Sequence, residues 1–497
     1  MKKFKVLLIA LALVIATVLA ILDHNRRNYS GNEYLYAKVG DEKINLYEDE
    51  ESYYLFLPSY ADESAVKYSA SARRIIADSS SDDSAAGASP VGNLSVLQSA
   101  NISTIFITTQ SGSLENIYAD KEYKERGKIR VYDESGALVL AESLSYLTGH
   151  GNYTWNSEVW DKKPFGFKLK SSESVLGLPA ASKYTLVANA SDPTLVRNDI
   201  ARSMEEVIEI PNAHRGVFAD LYINGDYMGC YYLVDNIANS EAYASDGYLL
   251  EREFEDRFKI EEDAITKGVT IESGEHFIVK SPDDPTSAEL ANITQYLGAV
   301  DSAINTTASG DAIDLSEYID ISSFAKRYLV EEVTKNYDAG ISSAYFYLSL
   351  TPGADAAATA RLYYAPGWDY DMSMGSYLDW MDYADPAVLT YASALDDNNE
   401  WPKKLYNYTP FQQQFLSDYR EKLLPYLEWL TGSDDGTTVS GLQYYQDLLS
   451  ASSSMDAIRW QSMYEKCGYT VGSSESFDYL RTFLSTRTAF LNSVWLE

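Results

Sequence analysis

The segment YIDISSFAKRYLVEEVTKNYD (residues 318–338) is followed closely by YFYLSL (residues 345–350) and RLYYAPGWDYD (residues 361–371). The spacing of apolar residues predicts a helix over residues 322–335. The two aromatic runs have the composition of strands, and the low-complexity loop TPGADAAATA between them predicts a pair. The sequence therefore predicts a helix followed by a two-stranded hairpin, with aspartates directly after both elements.

Three aspartates at the ends of this unit are candidates for metal chemistry. Asp338 follows the helix, whereas Asp369 and Asp371 follow the second strand. Because a hairpin returns the chain to its start, Asp338 and Asp369 can reach one cleft. Carboxylates suit a divalent metal, and in phosphoryl transfer one aspartate orients the acceptor hydroxyl while a later one holds the metal. An isolated Asp-x-Asp is more often a pair of solvated turn acids, so the motif alone does not establish a site.

The sequence upstream of this unit is rich in strands. Short alternating runs over residues 34–60 predict a small β-module, and the polar, acidic run over residues 77–90 predicts a linker or exposed loop. Strands resume at Leu94. The segment FADLYINGDYMGCYYLV predicts a hairpin around Asn224-Gly225, which is a strong turn signal.

Helices are predicted between and after these strands. Asp192-Pro193 predicts the start of the first, residues 286–305 form another, and the chain from about Trp401 onward is mostly helical. Strands first and helices last, with mixed elements between, predict an α+β fold with a helical C-terminal part. No internal repeat is present.

The composition excludes several classes of protein. The 497 residues include 40 lysines and arginines against 73 acidic residues, a formal net charge of −33, so no nucleic-acid partner is expected. Two cysteines, Cys230 and Cys467, cannot form a disulfide framework. The four histidines lack the spacing of a zinc site. Any metal is therefore expected on oxygen ligands, as Mg²⁺, Mn²⁺ or Ca²⁺.

The N-terminus has the pattern of an export signal. Lysines at positions 2, 3 and 5 precede an apolar run from Val6 to Leu22, and Arg26 and Arg27 follow it. A cationic start and an apolar stretch are typical of a secretory signal, and this stretch is at the short end of a membrane span. We expect residues 1–27 to be a signal peptide or an uncleaved signal-anchor, with the body of the protein outside the cytoplasm, membrane-tethered or secreted.

Basic residues that could bind phosphate occur in two places. KKPFGFKLK (residues 162–170) alternates apolar and cationic residues, so Lys168 could face a cleft and bind nucleotide phosphates. Arg197 lies near the start of the helix after Asp192, where a guanidinium beside helix amides favours an anion. Taken singly, a solvated strand face and a surface or structural ion pair explain these residues better.

Taken together and in order, several motifs resemble the CotH (spore coat protein H) kinase family. The resemblance covers roughly residues 103–415, and several motifs in order are far more specific than any one. It implies an atypical protein-kinase-like fold, related to secretory-pathway kinases, that transfers phosphate from ATP to serine residues of exported proteins. The motifs are GNYTW, KKPFGFKLK, LGLPAASKYTLVANASDPTLVRNDIARSM, ADLYINGDYMGCYYLVDNI, DGYLLE, YIDISSFAKRYLVEEVTKNYD and PGWDYDMSMG.

The resemblance implies roles for individual residues. Asp338 matches the catalytic-loop acid of the family, and Asp369 matches its metal-binding acid. Lys168 is the predicted nucleotide lysine, with Lys163 as the alternative, and Arg197 matches the family's Arg-Asn pair. The predicted site residues are therefore Asp338 for catalysis; Lys168, Lys163, Arg197 and Asp235 for the nucleotide; and Asp369, Asp371 and Ser343 for the metal.

Three positions depart from the family pattern. His150 stands where the family usually has arginine, and Asp235 stands where it has glutamate. Ser343, five residues after Asp338, replaces an asparagine that would be a neutral metal ligand. A serine hydroxyl reaches less far and is a weaker ligand, so these departures bear on activity more than on the fold.

Three functions remain open on the sequence. The first is an extracytoplasmic kinase that uses ATP with Mg²⁺ or Mn²⁺ to phosphorylate serine on exported coat or envelope proteins of a bacterium. The second is a catalytically impaired scaffold of the spore coat or cell envelope with the same fold. The third is a carbohydrate-active enzyme that uses Asp338 and Asp369 as its carboxylate pair, which a cleft lysine near both acids would disfavour. Residues 28–90 are expected to form the β-module and linker, and residues 91–497 the kinase-like domain.

Overall fold

The computed structural model of the chain is a mixed α+β protein, which confirms that part of the predicted fold class. The predicted signal or anchor, the acidic linker, Asp338 and Ser343 lie outside the residues that the structure describes. Within the described ranges, no helix is long and apolar enough to cross a membrane. The structure describes residues 35–49, 52–72, 94–156, 158–213, 215–235, 247–308, 310, 313–336, 344–350, 360–376, 385–390, 401–432 and 439–497.

Two small three-stranded sheets come first in the described chain. Their strand orders are β2-β1-β5 and β3-β4-β6. The aromatic ring of Phe56 packs on Tyr227 of the next sheet, with ring centroids 4.8 Å apart. These sheets therefore cover part of the outer surface of the barrel described below. The strands are β1 Tyr36–Val39, β2 Glu42–Asn45, β3 Tyr47–Asp49, β4 Ser52–Leu57, β5 Lys67–Tyr68 and β6 Leu94–Gln98.

Seven strands close into a barrel in the order β10-β11-β13-β12-β7-β8-β9. Asn224 and Gly225 join β12 to β13, and both have positive φ (55° and 93°) as a type I′ turn requires. The predicted hairpin is thus confirmed. The strands are β7 Ser103–Thr109, β8 Glu125–Tyr132, β9 Leu138–Gly149, β10 Phe165–Glu173, β11 Ala181–Val187, β12 Val217–Ile223 and β13 Asp226–Asp235.

A second sheet has five strands in the order β15-β16-β14-β17-β18. The strands β17 and β18 are antiparallel neighbours, with Phe346 opposite Tyr364, so the pairing predicted for YFYLSL and RLYY is confirmed. The loop after β18 carries Asp369 and Asp371. The strands are β14 Tyr248–Glu253, β15 Gly268–Thr270, β16 His276–Ser281, β17 Ala344–Leu348 and β18 Leu362–Tyr364.

Helices surround the sheets and dominate the C-terminal part, as predicted. Helices α6 and α7 correspond to the helices predicted over residues 286–305 and 322–335. The helices are α1 Glu115–Ala119, α2 Tyr153–Asn156, α3 Arg197–Val207, α4 Glu255–Phe258, α5 Glu262–Lys267, α6 Ser287–Ala308, α7 Ile321–Thr334, α8 Trp401–Leu405, α9 Thr409–Asp418, α10 Leu424–Thr431, α11 Gly441–Arg459, α12 Gln461–Cys467 and α13 Ser474–Trp495. A π-helical turn, Tyr419–Leu423, joins α9 to α10.

Helix α3 begins at Arg197 and not at Asp192-Pro193, so the predicted start was wrong. The Asp192 carboxylate accepts hydrogen bonds from the backbone N–H of Thr194 (2.9 Å) and of Arg197 (2.8 Å). Leu195, between them, has a φ of 66°, which no helix contains. An aspartate can hold a turn as readily as it can cap a helix, and here it holds the turn.

Helix α11 is joined to the barrel by a buried ion pair. Lys162, which has no exposed surface, places its Nζ 2.6 Å from Oδ2 of Asp456 and 2.8 Å from the carbonyl oxygen of Cys230. The backbone N–H of Cys230 donates to the same carboxylate at 2.7 Å. Burial raises the pKa of the Cys230 thiol well above its usual value, so this cysteine is a packed core residue.

Candidate functional site

The loop after β18 is held by two helices. The backbone N–H of Tyr370 donates to the Asn198 side chain of α3 at 2.9 Å. The Asn336 side chain, just past α7, donates to the carbonyl oxygen of Asp369 at 3.2 Å. Asp369 itself has a φ of 68°, a left-handed conformation that is uncommon outside glycine and that surrounding contacts must hold. The backbone of this acidic loop is therefore fixed from both sides.

Asn198 has a defined role that the sequence did not separate from that of Arg197. Its amide nitrogen donates to Oδ1 of Asn189 at 2.9 Å, while its amide oxygen accepts from Tyr370. Asn189 in turn donates to the carbonyl oxygen of Leu195 at 2.8 Å. A chain of amides thus connects the turn before α3 with the acidic loop.

Arg197 is buried, and its guanidinium contacts acceptors of its own chain. It forms an ion pair with Asp192 and donates through Nε to the carbonyl oxygen of Ser373 at 3.1 Å. Nη2 lies 3.4 Å from the carbonyl oxygen of Met374. The sequence predicted an anion beside this guanidinium, and the structure has the Asp192 carboxylate in that position. Arg197 therefore positions the backbone that follows Asp371.

Asp369 and Asp371 are both half-buried. Oδ2 of Asp371 accepts a hydrogen bond from the Ser191 hydroxyl at 2.6 Å. Within the described residues, no group of three or more histidine, cysteine, aspartate or glutamate side chains could hold a metal ion. The other predicted contributors, Asp338 and Ser343, lie outside those residues. Two carboxylates on one fixed loop nevertheless have the donor chemistry that Mg²⁺ or Mn²⁺ requires.

A buried ionic network lies behind the acidic loop. Nη1 of Arg327 on α7 donates to Oε1 of Glu205 on α3 at 2.8 Å, and Arg327 also pairs with Glu331. The Tyr370 hydroxyl contacts Arg327 and donates to Glu205 at 2.9 Å, and the backbone N–H of Gly367 donates to the same oxygen at 2.5 Å. These side chains are almost completely buried. The network therefore ties α3, α7 and the loop into one unit.

Burial raises the pKa of Glu331 to about 7, although Arg327 opposes the shift. The sequence analysis missed this network. One signal for it was available, because Arg327 and Glu331 are spaced i,i+4 on a helix. Their buried partner Glu205 is 122 residues away from Arg327 in the sequence, and no local pattern indicates that contact.

Lys168 lies on the face of β10 that is directed away from the barrel core. Its neighbours Phe167 and Leu169 are buried in the core, whereas Lys168 is half-exposed. Gly166 lies on the same face as Lys168, and a Cβ on it would approach Nδ1 of His150 at 3.9 Å. The His150 ring is in turn 6.1 Å from the ring of Trp368, which precedes Asp369. Lys168 therefore shares a strand face with Gly166, which His150 and Trp368 connect to the acidic loop.

Lys163, the alternative nucleotide lysine, has a different position. It precedes β10, and its Nζ donates to the carbonyl oxygens of Thr154 (2.9 Å) and Trp155 (2.8 Å). Burial lowers its pKa. The structure thus gives Lys163 a role in holding the α2 turn, and of the two predicted lysines Lys168 is the one on the outer face of β10.

Asp235 ends β13 and is buried. It pairs with Tyr184 on β11, which pairs on its other side with the core residue Phe167. Residues paired across neighbouring strands share a face, so Asp235 lies on the opposite face of the sheet from Lys168. The structure does not bring these two predicted nucleotide residues together.

His150 is surrounded by positive charge. Burial, together with the nearby ammonium groups of Lys121 and Lys280, lowers its pKa to about 4. The imidazole is therefore neutral at pH 7. Nζ of Lys280 pairs with Glu251 at 3.0 Å on the second sheet. Two cations thus lie near His150 in a chain that is strongly acidic overall.

The second sheet contributes a buried carboxyl, Glu253, at the end of β14. Only 1% of this residue is exposed, and burial together with the nearby Glu251 raises its pKa to about 8. Arg257 lies 3.2 Å away and opposes that shift. Glu253 therefore holds a proton at neutral pH.

The comparison with protein-family models gives one match. Residues 147–491 match the model described as CotH kinase protein, which is most of the chain. This chain therefore belongs to the CotH family, as the motifs indicated. The matched range includes all eight of the predicted site residues. No curated protein matches the chain in the second comparison.

Proposed function

We propose that this chain is an ATP- and divalent-metal-dependent protein kinase that phosphorylates serine on exported proteins. The observation that carries the proposal is the acidic loop of Asp369 and Asp371, whose backbone is fixed from α3 and α7 and which His150 and Trp368 connect to the β10 face that bears Lys168. Phosphoryl transfer uses this kind of arrangement, in which carboxylates hold a metal ion and a lysine binds the phosphates. A lysine on that face also disfavours a glycosidase, whose two carboxyl groups work without one.

Each residue has a separate part in this proposal. Asp369 and Asp371 would hold Mg²⁺ or Mn²⁺, which offsets negative charge on the phosphates when it is bound. Lys168 would bind the phosphates directly. Asp338 would orient the serine hydroxyl and accept its proton while the serine oxygen forms a bond to the γ-phosphorus and the bond from that phosphorus to ADP breaks. Arg197, Asn198 and Asn336 would act by positioning the loop.

The location and substrate follow the sequence pattern and the family. The N-terminal signal pattern supports a body outside the cytoplasm, membrane-tethered or secreted, and a coat or envelope substrate is what the resemblance to spore coat protein H implies. The scaffold alternative rests on one specific observation, the serine at position 343. A shorter neutral ligand would weaken metal binding without removing it, so we expect weak activity that prefers Mn²⁺.

The deciding experiment measures nucleotide-dependent thermal stabilisation of residues 28–497. A ligand at 100 times its dissociation constant stabilises the folded state by about 2.7 kcal/mol. We expect ATP with Mn²⁺ to raise the Tm of wild type, and Asp369→Asn to abolish that rise. Asp41→Asn, in the exposed β1–β2 turn, makes the same chemical change far from the loop and should leave the rise intact.

Two outcomes would contradict the proposal. No stabilisation of wild type by ATP and Mn²⁺ would refute nucleotide binding. Stabilisation without any radiolabel transfer to serine, in wild type and in Ser343→Asn alike, would favour the scaffold. Transfer that increases in Ser343→Asn and disappears when Asp338→Asn is added would establish a weakened kinase.

A further inference from the structure

An open groove of about 670 Å³ crosses the outside of the barrel over β7, β8, β9 and β10. Three of its lining side chains are cationic and four carry hydroxyl groups, and none of its lining residues is acidic. The chain as a whole has 73 acidic residues against 40 basic ones, so this local excess of positive charge runs against the composition. The cationic and hydroxyl-bearing residues are Arg126, Lys128, Lys170, Thr108, Thr109, Ser143 and Ser145.

The strand register fixes the centre of the groove. Lys128 on β8 is directly opposite Thr108 on β7 and directly opposite Ser143 on β9. A hydroxyl, an ammonium and a second hydroxyl therefore form a row across three strands, about 10 Å long. Next to this row, Gly127 has no side chain, and a Cβ there would lie 2.5 Å from the carbonyl oxygen of Thr108. Glycine is therefore required at this position for the strands to approach each other.

The three cations of the groove are exposed, and among the described residues none of them pairs with a carboxylate. Arg130, on the same strand as two of them, is different because its Nε lies 3.0 Å from Glu42. An arginine fork, two ammonium groups and hydroxyl donors are the groups that bind a phosphate monoester, which carries close to two negative charges and three acceptor oxygens.

The groove shares the outer face of β10 with Lys168. Lys170 follows Lys168 by two residues on β10, a distance of about 7 Å along the strand. A substrate segment that lies along this face past Lys168 would therefore extend into the groove. The groove is open to solvent along the strands, which suits a segment of peptide better than an enclosed small molecule.

We propose that this groove binds a phosphoserine on a substrate segment that has already been modified. This inference rests on the proposed kinase function and extends it, because a bound product group would hold the substrate for transfer to a nearby serine. The rest of the surface is strongly acidic and would repel the phosphate. Binding of the phosphoserine would therefore be confined to the groove.

The test compares two synthetic peptides of one serine-rich sequence, with and without a single phosphoserine, by fluorescence anisotropy without ATP or metal. We expect the phosphopeptide to bind wild type at least about tenfold tighter, since each charge-assisted contact contributes about that factor. In the triple variant Arg126→Ala/Lys128→Ala/Lys170→Ala the preference should disappear. The control variant Lys38→Ala/Lys67→Ala/Lys466→Ala removes the same number of positive charges from exposed lysines elsewhere. It should keep the preference for the phosphopeptide.

Three results would overturn the inference: equal affinity of wild type for both peptides, an unchanged preference in the triple variant, or displacement of the phosphopeptide by an equal concentration of inorganic phosphate. The proposed function is assessed separately through stabilisation of the same variants by ATP and Mn²⁺. Phosphopeptide binding without that stabilisation would leave the groove assigned and the kinase function refuted. The reverse result would refute only the groove.

Discussion

Replacing Gly367 with alanine should disrupt the acidic loop through one methyl group. A Cβ at Gly367 would lie far inside van der Waals contact of Nη1 of Arg327 and of the Tyr370 hydroxyl. Neither group has free space, because both belong to the buried network with Glu205 and Glu331. The substitution must therefore displace either the guanidinium or the loop.

The magnitude follows from which interaction is lost. Overpacking a dense core costs about 1–3 kcal/mol, and separating one partner from a buried ion pair costs about 3–5 kcal/mol. Because one displacement causes both effects, we expect a loss of about 3–5 kcal/mol in the free energy of unfolding. Gly298→Ala is the matched control, since a Cβ at this position of α6 meets nothing within 4 Å. Alanine is the better helix former there by about 1 kcal/mol.

The same glycine-to-alanine substitution is thus expected to lower the free energy of unfolding at position 367 and to raise it at position 298. Urea unfolding followed by tryptophan fluorescence measures both, and nucleotide-dependent stabilisation reports whether the loop is still in place. If Gly367→Ala unfolds at the same urea concentration as wild type and keeps its response to ATP, the network does not hold the loop and the reasoning is wrong. A loss of stability in Gly298→Ala would invalidate the comparison.

Three further predictions concern single side chains. Lys168→Ala should weaken ATP binding in calorimetry with little change in Tm, and an ATP affinity equal to that of wild type would exclude Lys168 as the nucleotide lysine. Lys163→Ala should instead lower Tm, because two carbonyl oxygens lose their donor. Because the pKa of Glu253 is raised to about 8 in the folded state, its contribution to stability is complete below about pH 4.5 and is lost as the pH rises through 8. Glu253→Gln should flatten the fall in urea midpoint over that range, and an unchanged slope would assign the fall to other groups. Lys162→Met should cost about 3–5 kcal/mol in urea unfolding by leaving Asp456 buried without its cation, and a loss below 1 kcal/mol would contradict the ion pair.

Local patterns predicted much of the fold. The β12–β13 and β17–β18 pairs depend on residues close in sequence, and an Asn-Gly turn or an aromatic alternation identifies them. Closure of the barrel was not predicted, because its parallel contact pairs Ser103 with Ala219 and no short motif encodes such a distance. The start of α3 was misplaced since an aspartate can either cap a helix or close a turn.

The candidate site was likewise predicted where local motifs exist and missed where the contacts are distant in sequence. Asp369 and Lys168 were predicted from motif and alternation, and their shared role stays a prediction. The role of Arg197 differs from the prediction because its anion is Asp192, a partner that no sequence pattern distinguishes from an external phosphate. Glu205 was missed for a similar reason, since a buried charge and a solvated one look alike until their surroundings are known.

The pair between Lys162 and Asp456 joins residues 294 positions apart, which affects how the chain reaches its native state. At about 5–20 residues per second, the lysine is synthesised roughly 15–60 s before its aspartate. During that interval the barrel strands have been synthesised, but the carboxylate of Asp456 has not. The Lys162 ammonium group, which is fully buried in the folded protein, therefore lacks its counterion. The strands must remain hydrated until α11 arrives, so the last fifth of the polypeptide completes a structure whose strands were made first. A nascent or truncated chain that ends before Asp456 would therefore expose unfinished strands and depend on a chaperone or on rapid degradation.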